Sequence, residues 1–115
     1  MPFNKLSDKL VFNILNGINV GYLEVRNYQG EVFKFGNPQD DLKAQLKIKK
    51  PNFSSNLIKG GSISFAESYM RGEFETDNLS NLIEITARNI KIIYKFSGLL
   101  DFPIINFLKG IFIKN

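Results

Sequence analysis

At 115 residues the chain makes one domain, long enough to bury roughly two-thirds of its unfolded surface. A hydrophobic content of 43% with 23% charged residues excludes a disordered chain, and a net charge of +4 suits anionic surfaces without requiring nucleic acid. With neither cysteine nor histidine, the chain can form no disulfide and no thiolate metal site, and it lacks the commonest general base.

In chain order, Leu6, Leu10, Val11, Ile14 and Leu15 are predicted to share one face of an N-terminal helix that ends at Gly17. Lys5, Asp8 and Lys9 within that pattern exclude a signal-peptide core. The uncharged run Leu10 to Leu23 is broken by asparagines and is too short to span a bilayer. This predicts a cytoplasmic protein, or one peripheral on the inner face of the membrane. Val20 to Arg26 and Glu31 to Phe35 read as a hairpin around Asn27-Tyr28-Gln29-Gly30, with Leu23, Val25, Phe33 and Phe35 on its buried side. After the turn cluster Asn37 to Asp41, the alternation from Lys43 to Lys49 predicts a half-buried strand with a basic outer side. Asn52 can then cap a short helix through Phe53, Leu57 and Ile58, stopped by Gly60-Gly61.

The stretch Gly60 to Leu82 compresses a helix, a glycine stop, a short extended piece and a new helix start into few residues. Ser64 and Glu67 have the spacing of a capping box. Phe65, Ala66, Tyr69 and Met70 supply an apolar stripe, and Gly72 is the expected left-handed stop. Glu73 to Thr76 suits an edge strand, and Asp77 can cap a helix through Leu79, Leu82, Ile83, Ala87 and Ile90 that runs past Tyr94 or breaks near Asn89. The segment 99–115 is apolar and basic, interrupted by Pro103. Its Phe102, Ile105, Phe107, Leu108, Lys109 and Phe112 have the composition of an interfacial membrane element, or of a helix packing on a neighbouring domain.

The run Phe65-Ala66-Glu67-Ser68-Tyr69-Met70-Arg71-Gly72-Glu73-Phe74-Glu75, followed by Leu79 and Leu82, resembles the segment before the catalytic domain of cyclopropane-fatty-acyl-phospholipid synthases. That family shows a small residue, then Glu-Ala-Tyr-Met-x-Gly, an aromatic and an acidic residue. Here Phe65-Ala66 replaces a glycine-rich pair, and Phe74 stands where tryptophan is common. More distantly, the stretch resembles sterol-carrier-type lipid-binding domains, in which a helix ends in glycine before a short strand. The first resemblance covers roughly residues 1 to 100 and implies the non-catalytic N-terminal module of a family that methylates unsaturated acyl chains with S-adenosylmethionine.

The chemistry available to this chain agrees with a module of that kind. Gly60-Gly61 lacks the lysine and hydroxyl residue of a phosphate loop, and no glycine-rich turn joins a strand to a helix, so no cofactor is expected. Glu67 is either a candidate for chemistry or half of the capping box. Glu73, Glu75 and Asp77 read as a solvated acidic edge rather than a buried acid pair.

The expected fold is α+β, an antiparallel sheet of about three to five strands with helices packed on one face, similar to the sterol-carrier fold. Residues 1–98 would form the accessory domain and 99–115 a tail or linker toward a catalytic domain. Glu67, Tyr69, Met70, Gly72 and Phe74 would serve structure or docking. The expected partners are a phospholipid membrane or acyl chain and a methyltransferase catalytic domain in cis or trans, with no nucleic acid. The alternative is a stand-alone carrier holding one apolar lipid.

Overall fold

The computed structural model describes residues 2–91. Three helices and four strands follow in the order α1 (Pro2–Leu15), β1 (Tyr22–Arg26), β2 (Val32–Gly36), β3 (Lys43–Ile48), α2 (Phe53–Met70), β4 (Phe74–Thr76) and α3 (Leu79–Arg88). The class is α+β, as expected. The sheet order is β2-β1-β3-β4. It is mostly antiparallel, with one departure from the expected pattern: β1 and β3 run parallel.

That departure has a simple origin. The hairpin forms where Asn27 and Gly30 predict it: Asn27 Oδ1 accepts from the amides of Gln29 and Glu31, and Gly30 holds φ +88°. Strand β2 therefore ends beside the start of β1, with Gly36 opposite Tyr22. Residues 37–42 then pass around the start of β1 and deliver β3 to its far edge, where Lys43 also lies opposite Tyr22. Asp40 holds this passage, accepting from the amides of Gly21 at 2.8 Å and Leu42 at 2.9 Å. Those two bonds, to Leu42 first, hold its carboxyl below the usual aspartate range. The approach is close enough that any side chain at Gly36, itself at φ +89°, would strike the carbonyl of Gly21.

Strand alternation sorts the sheet into two sides. Leu23, Val25, Phe35, Ala44, Leu46, Ile48 and Phe74 point to one side and are buried, forming the core with Ile18, Phe53, Leu82 and Ile85. Phe12 of α1 lies on Phe33 and Phe35 with ring centroids 4.6 and 5.8 Å away. All three helices reach this side, as expected: α1 through Phe12, α2 through Phe53, and α3 through Leu82 and Ile85.

The helices themselves depart from the sequence reading. On α1 the buried side is Ser7, Val11 and Ile14, with Phe12 and Leu15 packed beside them, while Leu6 and Leu10 are exposed. The aromatic contact of Phe12 with β2 sets the rotation of the helix, which turns the two leucines out. The glycine pair interrupts the helix that begins at Phe53, as expected, because Gly61 is non-helical and divides α2 into two helical runs. The chain continues to Met70 through a kink at Gly61, where φ is +59° and ψ −138°. The side chain of Asn52 makes no capping bond, and Ser55 Oγ donates to the Asn52 carbonyl instead.

Candidate functional site

The unit from Gly60 to Leu82 is built from the second half of α2, the glycine stop, β4 and the start of α3. Because the helix resumes directly after Gly61, Ser64 lies inside it and cannot cap it, so the expected capping box with Glu67 is not formed. Ser64 Oγ fills the space over Gly60, where a Cβ would collide with it. The stop at Gly72 is formed as expected, with φ +72°. The Glu73 amide donates to the Ser68 carbonyl at 2.9 Å and the Gly72 amide to the Tyr69 carbonyl at 3.1 Å. This is the Schellman pattern, which satisfies two helix-end carbonyls.

Beyond the stop, Arg71 Nε donates to Glu73 at 2.8 Å. That bond, ahead of the smaller opposing cost of burial, holds the Glu73 carboxyl below the usual glutamate range and raises the Arg71 guanidinium. Phe74 follows and is 1% exposed. Its ring stacks on Phe65 at 4.7 Å, meets Phe53 edge-on at 5.4 Å and lies 5.5 Å from Tyr69. Of the motif residues, Phe74 therefore belongs to the core and Gly72 to the turn.

The remaining three face outward. Glu67 is exposed, Tyr69 is 43% and Met70 76% exposed. Ile63, 62% exposed, and Ala66 continue the face of α2 that carries Met70. The stripe predicted from Phe65, Ala66, Tyr69 and Met70 is thus split: Phe65 turns inward, Tyr69 spans the boundary, and Ala66 and Met70 turn out. The helix buries Ser54, Ser55 and Ser68 in their place.

The cap of α3 also differs from expectation. Asn78, not Asp77, caps α3, accepting from the Asn81 amide at 2.9 Å. Strand β4 ends opposite Leu46, so β3 continues past it with unpaired backbone groups. Asp77 Oδ1 takes the Gln45 amide at 2.7 Å, and Asn81 Nδ2 donates to the Lys43 carbonyl at 2.8 Å. These side chains complete the ladder that the short strand leaves open. Glu75 pairs with Lys49 at 3.2 Å. The three acids therefore have separate partners.

Asn89 was not singled out by the sequence except as a place where α3 breaks, and the helix does end there. It is 1% exposed. Its Oδ1 accepts from the amides of Asn19 and Val20, and its Nδ2 donates to the carbonyls of Val20 and Ile85. A lone asparagine between Ala87 and Ile90 was the available signal, because a buried amide must find such partners.

Among the described residues no group of acidic side chains could hold a metal ion, and no helix is long and apolar enough to cross a membrane. Phe102, Ile105, Phe107, Leu108, Lys109 and Phe112, with the proposed boundary at 98/99, lie outside the described residues.

A family model described as a domain of unknown function, DUF7884, matches residues 11–95, and the chain belongs to that family. No curated protein and no solved structure matches the chain.

Proposed function

We propose that this chain is a non-catalytic accessory domain of a cyclopropane-synthase-like lipid methyltransferase, which docks the catalytic domain and holds it at a phospholipid membrane. The observation that carries the reading is the outward orientation of Glu67, Tyr69 and Met70 in the stretch that resembles the synthases, continued by Ile63 and Ala66. Side chains kept for packing alone would turn inward. An apolar helix face framed by polar residues is suited to a protein partner. The carrier alternative is less well supported, because Phe12, Phe33 and Phe35 at one end and Phe53, Phe65 and Phe74 at the other interlock where a lipid tail would lie.

The test mixes the chain with a separately produced catalytic domain of a cyclopropane-fatty-acyl-phospholipid synthase and measures complex formation by sedimentation velocity. A complex is expected. The double variant Ile63→Glu/Met70→Glu should lose it with an unchanged circular dichroism spectrum. Calorimetry of the chain alone with S-adenosylmethionine should give no binding heat. Failure to form a complex, or micromolar binding of that cofactor by the chain alone, would overturn the reading. Co-purification of one lipid per chain would favour the carrier.

A further inference from the structure

Among the described residues no helix packs on the other side of the sheet, and its outward side chains are mostly polar and exposed. Alternation and register fix what stands there. One row runs Lys34, Glu24 and Gln45 across β2, β1 and β3. The next runs Val32, Arg26, Lys47 and Glu75 across all four strands, and a third places Tyr22 beside Lys43. Arg26, Lys34, Lys43, Lys47 and Lys49 thus face two carboxylates, Glu24 and Glu75. Only Lys49 among the five cations is in an ion pair among the described residues, with Glu75. Lys43 lies over the Tyr22 ring, 5.8 Å from its centroid.

We infer that this open sheet face is a docking surface for the anionic headgroups of a phospholipid bilayer. The occupant follows from charge and shape. Four strands about 4.8 Å apart make a shallow platform wide enough to meet several headgroups together. Its cations stand on a regular sheet, so they are already in place when the surface arrives. Single-stranded nucleic acid fits less well, because it needs stacked aromatic rings. The phenylalanines of β2 and β4 point into the core, and Tyr22, the one outward ring on the four strands, is covered by Lys43.

This face is opposite the helical face that carries Ile63 and Met70, so one domain can hold a protein on one side and a membrane on the other. The inference rests on the accessory-domain reading for its membrane, but its test needs no catalytic domain, and the two surfaces succeed or fail separately.

The experiment is co-sedimentation of the full chain with vesicles of phosphatidylcholine alone or mixed with phosphatidylglycerol, at low and high salt. Binding should require phosphatidylglycerol and weaken as salt shortens the range of the charges. Each lysine near such a surface contributes about fivefold, so Lys34→Gln/Lys47→Gln should weaken binding roughly 25-fold. The control Lys9→Gln/Lys91→Gln removes the same charge from helical elements, at exposed positions, and should weaken it far less. Both pairs are exposed, and circular dichroism checks that each variant folds. Equal losses in the two variants, or no loss in the sheet variant, would overturn the assignment and move the anchor elsewhere in the chain. Binding to a DNA strand with the same dependence on Lys34 and Lys47, without binding to vesicles, would overturn it in favour of nucleic acid.

Discussion

The sheet and helix α2 obey different rules within one small domain. In β3, hydrophobicity and burial agree position by position: Ala44, Leu46 and Ile48 are buried while Lys43, Gln45 and Lys47 are exposed. In α2 they disagree, since Ser54 and Ser68 are buried to 1% exposure while Ile63 and Met70 face out. The inward side of the sheet is therefore organised for the stability of the core. The outer side of α2 carries apolar surface that the described fold does not use, and surface of that kind is what a partner can claim.

The sharpest way to break this contrast is to cut where the two regions meet. Phe74→Ala removes a ring that touches Phe53, Phe65 and Tyr69 at once and leaves a cavity between sheet and helix. It should cost about 3–5 kcal/mol, read as a large fall in the chemical-denaturation midpoint. A loss below about 1 kcal/mol would mean that α2 is not anchored through this ring. Gly72→Val tests the joint itself. A Cβ there meets no atom within 4 Å, so the effect isolates backbone strain at φ +72°. The expected loss is about 1–2 kcal/mol, and unchanged thermal stability would show that the left-handed stop is misplaced. The smallest effect should come from the outer side of the helix. Met70→Ser should change stability by no more than about 0.5 kcal/mol, by the same denaturation measurement. A loss comparable to that of Phe74→Ala would show that Met70 is core, and the contrast would fail.

Legibility in the sequence follows the same division. Period-two alternation, the Asn27–Gly30 turn and the proline and glycine boundaries located all four strands, because each signal acts over a few residues. The parallel pairing of β1 and β3 could not be seen, since it depends on which edge of β1 the chain reaches after residue 42. Helical rotation was equally hidden. Leu6, Leu10 and Val11 all fit an apolar stripe of α1, and only the packing of Phe12 on β2 decides which of them turns inward. Capping spacing at Ser64 and Glu67 was present without the cap, because the kink at Gly61 moved the helix start upstream. In the candidate site, Gly72 was legible as a turn and Phe74 as part of an edge strand. The exposure of Tyr69 and Met70 was not, because helical spacing alone favours burial.

The bonds of Asn89 carry a consequence for the order of assembly. They join residues 69 and 70 positions apart, so they close the described chain beyond α1 into one loop. Long closures are entropically costly and form late, after nearer contacts have shortened the effective chain. Contacts that form late are also lost early, so the amides of Asn19 and Val20 should exchange with solvent deuterium before those of the central strands. Two amides of the six-residue connection between α1 and β1 would thereby report the first opening of the domain.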